Sequence, residues 1–258
     1  MSPEPETGLR PIELRPIGVI HSCFPDKFGI PRQPGLVPEA EARLELLPPY
    51  NRVEAVRGLE DCSHVWILFL FHHCLRDDWR PTVRPPRLGG ERRLGVFATR
   101  APYRPNPIGL SAVALLGIDT SGGRVELRLG GIDLVDGTPV LDIKPYLPYA
   151  DSLAEARLGF GEAEPADLEL AFAPQPEALL AALPPAEGRR LRSLISGLLR
   201  QDPRPAHQTG DTAGRGFGMR LEGLDIRWES RGNRFLVTRI EPWDSRDRPA
   251  EAKTKRQN

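Results

Sequence analysis

Lysine is nearly missing from this 258-residue chain: of 35 basic residues, all but those at positions 27, 144, 253 and 255 are arginine. Basic and acidic residues cancel, 35 against 35, so no net field attracts a polyanion and any such attraction must come from a local patch. Cysteine is scarce as well. Cys23, Cys62 and Cys74 are odd in number and form no C-x-x-C pair, which argues against a disulfide framework and against a structural zinc site. The longest apolar run, residues 65–71, is far too short to span a bilayer, and the Pro- and Glu-rich first twenty residues do not read as a secretory signal. A cytoplasmic protein is expected. The marks of several enzyme classes are missing too. Gly214, Gly216 and Gly218 come close to G-x-G-x-x-G but follow no strand, and neither a nucleophile elbow nor an H-E-x-x-H motif occurs.

What is present is a mainly β pattern. Residues 17–21, 42–47, 65–71, 94–98, 110–118 and 124–131 are short runs of branched and aromatic residues separated by Gly, Pro or Asp, which predicts strands. In this half only residues 50–57 read as a helix. Many short strands with few helices between them point to a sheet closed on itself, a small β-barrel, over residues 16–158. Beyond it, residues 168–172 read as a strand and 177–183 as a short helix. Leu191, Leu194, Ile195, Leu198 and Leu199 form the apolar stripe of a helix stopped before Pro203. Met219, Leu221, Ile226 and Trp228 face Phe235, Val237 and Ile240 across a turn at 231–233, as in a hairpin. A smaller α+β domain is therefore expected at 160–243, between a flexible start at 1–15 and a charged, disordered tail at 244–258.

Four polar stretches in the first half are too particular to be packing. "TRAPYRPNPIGLS" (99–111) puts two arginines, three prolines and an asparagine into thirteen residues, and "KFGIPRQPGL" (27–36) repeats the recipe. Proline fixes φ and holds the residue before it extended, so side chains on such segments are aimed. "FLFHH" ends an apolar run in His72 and His73. Adjacent strand residues point to opposite faces, so these two imidazoles are not expected to share a metal. "VDGTPVLDIKPY" (135–146) brings an Asp136-Gly137 turn, the Thr138 hydroxyl, and Lys144 after Asp142. Beside the first stretch lies an arginine cluster at 84, 87, 92, 93, 100 and 104, suited to a polyanion.

These four stretches, in this order, resemble the signature blocks of the TsaA-like family, whose bacterial members are tRNA methyltransferases. The likeness runs from residue 16 to about 152, and "QDPRPA" (201–206) followed by "GFGMRLEGLDIRW" (216–228) resembles the C-terminal extension of those members. Ala101 departs from the Ser usual there. The resemblance implies a single-sheeted β-barrel and a homodimer. It also implies that the chain binds S-adenosylmethionine and methylates N6 of threonylcarbamoyladenosine (t6A) beside the anticodon of threonine tRNA, without metal. Carried over by position, the cofactor would meet Pro31, Arg32 and Gln33; His72 and His73; Arg100; Leu110; and Asp136, Gly137, Thr138 and Pro139.

Methyl transfer from a sulfonium asks an enzyme for positioning and desolvation more than for a nucleophile, which agrees with the absences above. Arg32 or Arg100 suits a carboxylate, Asp136 with backbone amides suits ribose and adenine, and Leu110 suits an apolar ring face. Asn106 and Arg104 are the expected catalytic pair: Asn106 would accept the proton of the target N6, and Arg104 would meet the threonyl carboxylate. The rival for Asn106 is a turn closed by its own side chain. Two other functions stay open. A non-catalytic RNA-binding module would use the arginine patch and Tyr103, although only 7% of the chain is aromatic. A hydrolase would pair His72 or His73 with Asp136 or Asp142. Since all four motifs precede residue 159, the barrel is expected to hold the cofactor and the second domain to help hold tRNA.

Overall fold

The computed structural model describes residues 10–75, 79–84, 93–157, 168–204, 214–231 and 234–243. Most of the expected N-terminal segment, the domain boundary near 159, the turn at 231–233 and the tail lie outside them in whole or part, as do Arg87 and Arg92.

Six strands close an antiparallel barrel: β1 (Gly18–Ser22), β2 (Glu41–Leu46), β3 (His64–Leu70), β6 (Ile108–Asp119), β7 (Glu126–Gly130) and β8 (Pro139–Pro145), in the spatial order β1-β2-β7-β6-β3-β8. The two-residue strands β4 (Thr82–Val83) and β5 (Leu94–Gly95) pair separately inside the long β3–β6 connection. Alternation fills the interior: Ile20, Leu44, Val65, Ile67, Val113, Leu127, Leu129 and Val140 are all essentially inaccessible. Gly109 and Phe69 face each other across β6 and β3. A Cβ at 109 would lie 2.2 Å from the Phe69 ring, so the glycine is what lets that ring occupy the barrel interior.

Three expectations need correction. Residues 50–57 form no α-helix but one 3-10 turn, Val53–Val56, followed past Gly58 at φ 88° by a second, Leu59–Asp61. The 94–98 run yields only β5 before turning into a 3-10 turn at Val96–Ala98. In the other direction, residues 139–145, expected within a polar loop, are strand β8. It pairs with β3 and, at Gly18↔Val140 and Val19↔Pro139, with β1, and so closes the barrel. Its outward face is polar, which hid the strand behind Asp142 and Lys144.

The second unit stacks a four-stranded sheet, order β10-β11-β12-β9, against two helices: β9 (Glu169–Phe172), β10 (Arg215–Leu221), β11 (Leu224–Arg231), β12 (Arg234–Pro242), α2 (Pro174–Ala182) and α3 (Pro185–Arg200). A four-residue helix, α1 (Pro148–Asp151), follows the barrel. The expected hairpin is a three-stranded meander, because Leu221 and Leu224 already pair across a Glu222-Gly223 turn in which both residues have positive φ. The leucine stripe of α3 is buried as its spacing predicts. Barrel and second unit share one continuous apolar cluster.

Candidate active site

Strand direction gathers the motifs. With neighbouring strands antiparallel, the β1–β2 connection (23–40), the β3–β6 connection (71–107) and the β7–β8 connection (131–138) all emerge at the same rim of the barrel. All four polar stretches therefore meet at one end, with the β1–β2 connection as their hub. Lys27 Nζ donates to the His73 carbonyl at 2.8 Å and reaches Cys74 Sγ at 3.3 Å. Arg100 Nη1 donates to Gln33 Oε1. The Ser22 amide donates to Asp136 Oδ1 at 3.0 Å, and the Ser22 hydroxyl donates to the Leu134 carbonyl at 2.8 Å.

His72 and His73 do not occupy strand positions. They start the 3-10 turn His72–Cys74, and their rings stand side by side, centroids 4.0 Å apart and tilted by 39°. The expectation that they point to opposite faces is thus corrected. Burial, the neighbouring His73 and the Lys27 ammonium hold the His72 imidazole below the usual histidine range, so near neutral pH its ring is uncharged and can accept a hydrogen bond. Among the described residues no three His, Cys, Asp or Glu side chains gather as metal ligands would.

In the 99–111 stretch the turn is closed by backbone: the Ile108 amide donates to the Asn106 carbonyl at 2.7 Å, and the Phe71 amide to the Pro107 carbonyl at 2.8 Å. The Asn106 side chain is exposed and makes no hydrogen bond among the described residues, so it does not close the turn. Arg104 staples its own loop through one guanidinium nitrogen. Its Nη1 donates to the carbonyls of Thr99 (2.7 Å), Val96 (3.4 Å) and Ala101 (3.4 Å), and its guanidinium lies 5.9 Å from the Phe97 ring centroid.

The other positions divide by exposure. Pro31 is buried, and Thr138 is 3% exposed with its hydroxyl on the Val135 carbonyl at 2.6 Å, so both shape backbone. Gly137, at φ 76°, donates its amide to the Ile20 carbonyl, and Pro139 lies in β8. Asp136 is exposed. Leu110 is 52% exposed on the outer face of β6 beside Ile108, opposite in direction to Ser111.

Three residues at this rim carry roles that the sequence did not assign. Lys27 ties two motif stretches together. Ser111, buried inside the barrel, donates to Asp133 Oδ1 at 2.6 Å. Burial pushes the Asp133 carboxyl up to about 6, against the opposing pull of the Ser111 hydroxyl and the Arg100 cation. An acid set between the fully buried Ile132 and Leu134 was the available signal, since a polar residue inside an apolar strand-end run is costly unless used. A cavity of about 440 Å³, lined by Ile17, Leu46, Val56, Leu59 and Cys62 among others, opens at the opposite rim, and of the four stretches only the far end of β8, at Asp142, Ile143 and Pro145, reaches it.

Fold and site thus define a closed six-stranded β-barrel with one rim of interlocked polar loops, joined to a small α+β unit. Residues 19–152 match the family described as tRNA-methyltransferase O N-terminal domain, and 165–243 match the TrmO C-terminal domain. The chain is 48% identical over 233 residues to the tRNA (adenine(37)-N6)-methyltransferase of Escherichia coli K12, covering 89% of this chain and 98% of that one. It is 55% identical over 219 residues (83% and 91%) to a Pseudomonas aeruginosa protein, RcsF, whose name assigns it provisionally to the S-adenosylmethionine-dependent methyltransferases. A crystal structure of TrmO from P. aeruginosa superposes with a TM-score of 0.74 at 45% identity, over 92% of this chain and all of that one. The chain belongs to the tRNA-methyltransferase O family.

Proposed function

We propose that this protein is an S-adenosylmethionine-dependent tRNA methyltransferase acting on N6 of adenine 37, with t6A beside the anticodon of threonine tRNA as its substrate and a homodimer as its working form. The observation that carries the reading is the interlocking of all four polar stretches on one rim, in a chain whose two units both match the family. The donor set fits the cofactor. Arg32 and Arg100 supply cations for a carboxylate, Asp136 and Asp133 supply acceptors for ammonium or ribose groups, and Leu110 and Ile108 offer apolar surface. When bound, S-adenosylmethionine supplies an activated methyl on a sulfonium.

The chain's own residues orient and desolvate. The Arg104 staple and the prolines on either side of Asn106 fix the loop, so the free Asn106 amide is held out toward the rim. Its side-chain carbonyl accepts a hydrogen bond from the N6–H of the target adenine, which helps localise a lone pair otherwise delocalised into the ring; as the N6–methyl bond forms and the sulfonium–methyl bond breaks, the N6 proton is released to water. Neutral His72 adds a hydrogen-bond partner that carries no charge to repel a sulfonium. The tRNA reaches the rim over the β3–β6 connection. There Trp79 and Phe97, both more than half exposed, stack at 6.3 Å, beside the exposed Arg80, Arg84 and Arg93, a pairing of rings and cations suited to unstacked bases.

Asn106→Ala tests the catalytic assignment. Turnover is expected to fall about a hundredfold, the size of effect typical of one positioned group, with S-adenosylmethionine affinity by calorimetry within about twofold of wild type. Lost cofactor binding with turnover reduced only in proportion would assign Asn106 to the cofactor pocket instead.

A further inference from the structure

The β1–β2 connection is a long irregular segment with Pro25, Pro31, Pro34 and Pro38 in it. A loop of this length needs outside contacts to hold one shape. Those contacts come in large part from the second unit. The Glu222 amide donates to the Cys23 carbonyl at 3.1 Å, and Arg220 Nη1 donates to Asp26 Oδ2 at 3.1 Å. Phe28 stacks on the fully buried Trp228, centroids 6.2 Å apart and planes within 14°. Gly29, at φ 87°, presses on Met219, where a Cβ would come within 3.1 Å of the sulfur. Val37 packs on Gly197 of α3 so closely that a Cβ there would lie 2.9 Å from it.

Arg32 donates through Nη2 to the backbone carbonyl of Asp202. That carbonyl is itself held firmly. Asp202 sits at φ 46°, and its carboxylate takes Arg204 Nε at 2.7 Å and Nη2 at 2.8 Å. The Arg204 guanidinium, 7% exposed as a residue, also donates to Ser230 Oγ at 2.9 Å and lies 4.8 Å from the Phe235 ring centroid. The Asp-Pro-Arg turn is thus a rigid post, anchored in the second unit's sheet and bonded to a residue of the first.

We propose that the second unit is the seat of the cofactor loop, and that Asp202, Arg204 and Arg220 are positioning residues for S-adenosylmethionine, acting through Arg32 and the 26–37 backbone. The inference rests on reading residues 31–33 as cofactor contacts. It gives the second unit a task at the methyl-donor site, distinct from gripping the tRNA body. Binding to a loop that holds its competent shape only part of the time is weakened by that fraction. Loosening the post therefore raises the dissociation constant for the cofactor and leaves the chemistry of a saturated enzyme in place.

Full-length wild type, Asp202→Ala, Arg220→Asp and the reciprocal Asp26→Arg/Arg220→Asp double variant would be titrated with S-adenosylmethionine by calorimetry. In parallel, tRNA affinity without cofactor, turnover at saturating cofactor, and hydrogen exchange of the 25–36 amides would be followed. Asp202→Ala is expected to weaken cofactor binding about tenfold, as it would if the competent loop fell to roughly a tenth of the population. The same variant should speed exchange in 25–36 and hold tRNA affinity and saturated turnover within about twofold. Arg220→Asp is expected to weaken cofactor binding by a factor of roughly two to five, the range of a part-exposed ion pair, and the double variant to recover it. Unchanged cofactor affinity in both single variants overturns the proposal, as does loss of tRNA affinity with cofactor affinity kept. If Asp202→Ala does not fold, the Arg220 cycle decides alone. Failure of the wild type to bind S-adenosylmethionine removes the functional reading itself, and this inference with it.

Discussion

Asp133 shows best how a single residue reports on this site. Its carboxyl is pushed from 3.8 up to about 6 because folding takes it out of water, with one Ser111 hydroxyl and the Arg100 charge as partial compensation. The sign follows from proton counting. The folded state binds the proton more tightly than the unfolded chain, so stability contributed by this group is full below about pH 4 and is lost as pH rises toward about 6. Above that the cost is constant, on the order of 3 kcal/mol. Asp133→Asn is therefore expected to match wild type in urea unfolding near pH 4 and to exceed it by up to about 3 kcal/mol at pH 8. Equal stabilities at both pH values would show that Asp133 titrates normally. Arg100 is the second residue to test. Removing a charge-assisted partner typically costs about 1.5–3 kcal/mol, so Arg100→Ala should weaken S-adenosylmethionine binding by at least about tenfold in calorimetry, and wild-type affinity would take Arg100 out of the site.

Among elements, legibility followed the strength of the local pattern. The α3 stripe and the β3 run were readable because burial on one face imposes a period on the sequence. The β8 strand was not, since Asp142 and Lys144 on its outer face pair with each other at 2.9 Å and give it the look of a loop. The 50–57 segment has helical composition, yet Gly58 at φ 88° and the need to turn back into β3 leave it as a single 3-10 turn with a second at Leu59–Asp61. At the site, Arg100, Gln33 and Asp136 could be nominated from motif likeness, and the Arg100–Gln33 and Ser22–Asp136 bonds appeared only once strand order placed three connections at one rim. Arg104, two residues before Asn106, carried the expectation of an ion pair with the threonyl carboxylate, and nothing local disclosed that its Nη1 also binds three carbonyls of its own loop. The barrel makes its own element-scale prediction at β3 and β6. Gly109→Ala drives a methyl into the Phe69 ring and should destabilise by about 1–3 kcal/mol, as overpacking usually does. Phe69→Leu in the same chain should return part of that loss. Additive loss in the double variant, measured by thermal unfolding, would mean the two residues do not share this space.

For the whole molecule, fold and chemistry are joined by one topological fact: an antiparallel barrel delivers its β1–β2, β3–β6 and β7–β8 connections to one rim, and a second unit packs on the loop at the centre of that rim. Net charge contributes nothing to this, with 35 basic against 35 acidic residues. On the proposed function, attraction for tRNA would fall to the local arrangement of Arg80, Arg84, Arg93 and the Trp79–Phe97 pair, so binding should weaken steeply with added salt. The most direct measurement of the central claim is nucleoside mass spectrometry of threonine tRNA after incubation with the purified protein and isotopically labelled S-adenosylmethionine, using tRNA with and without its threonylcarbamoyl group. The account predicts a labelled methyl on N6 of adenosine 37 in the threonylcarbamoyl form, abolished or sharply reduced in Asn106→Ala. A labelled methyl at another nucleoside, or no transfer from a wild-type protein that binds both partners, would contradict it.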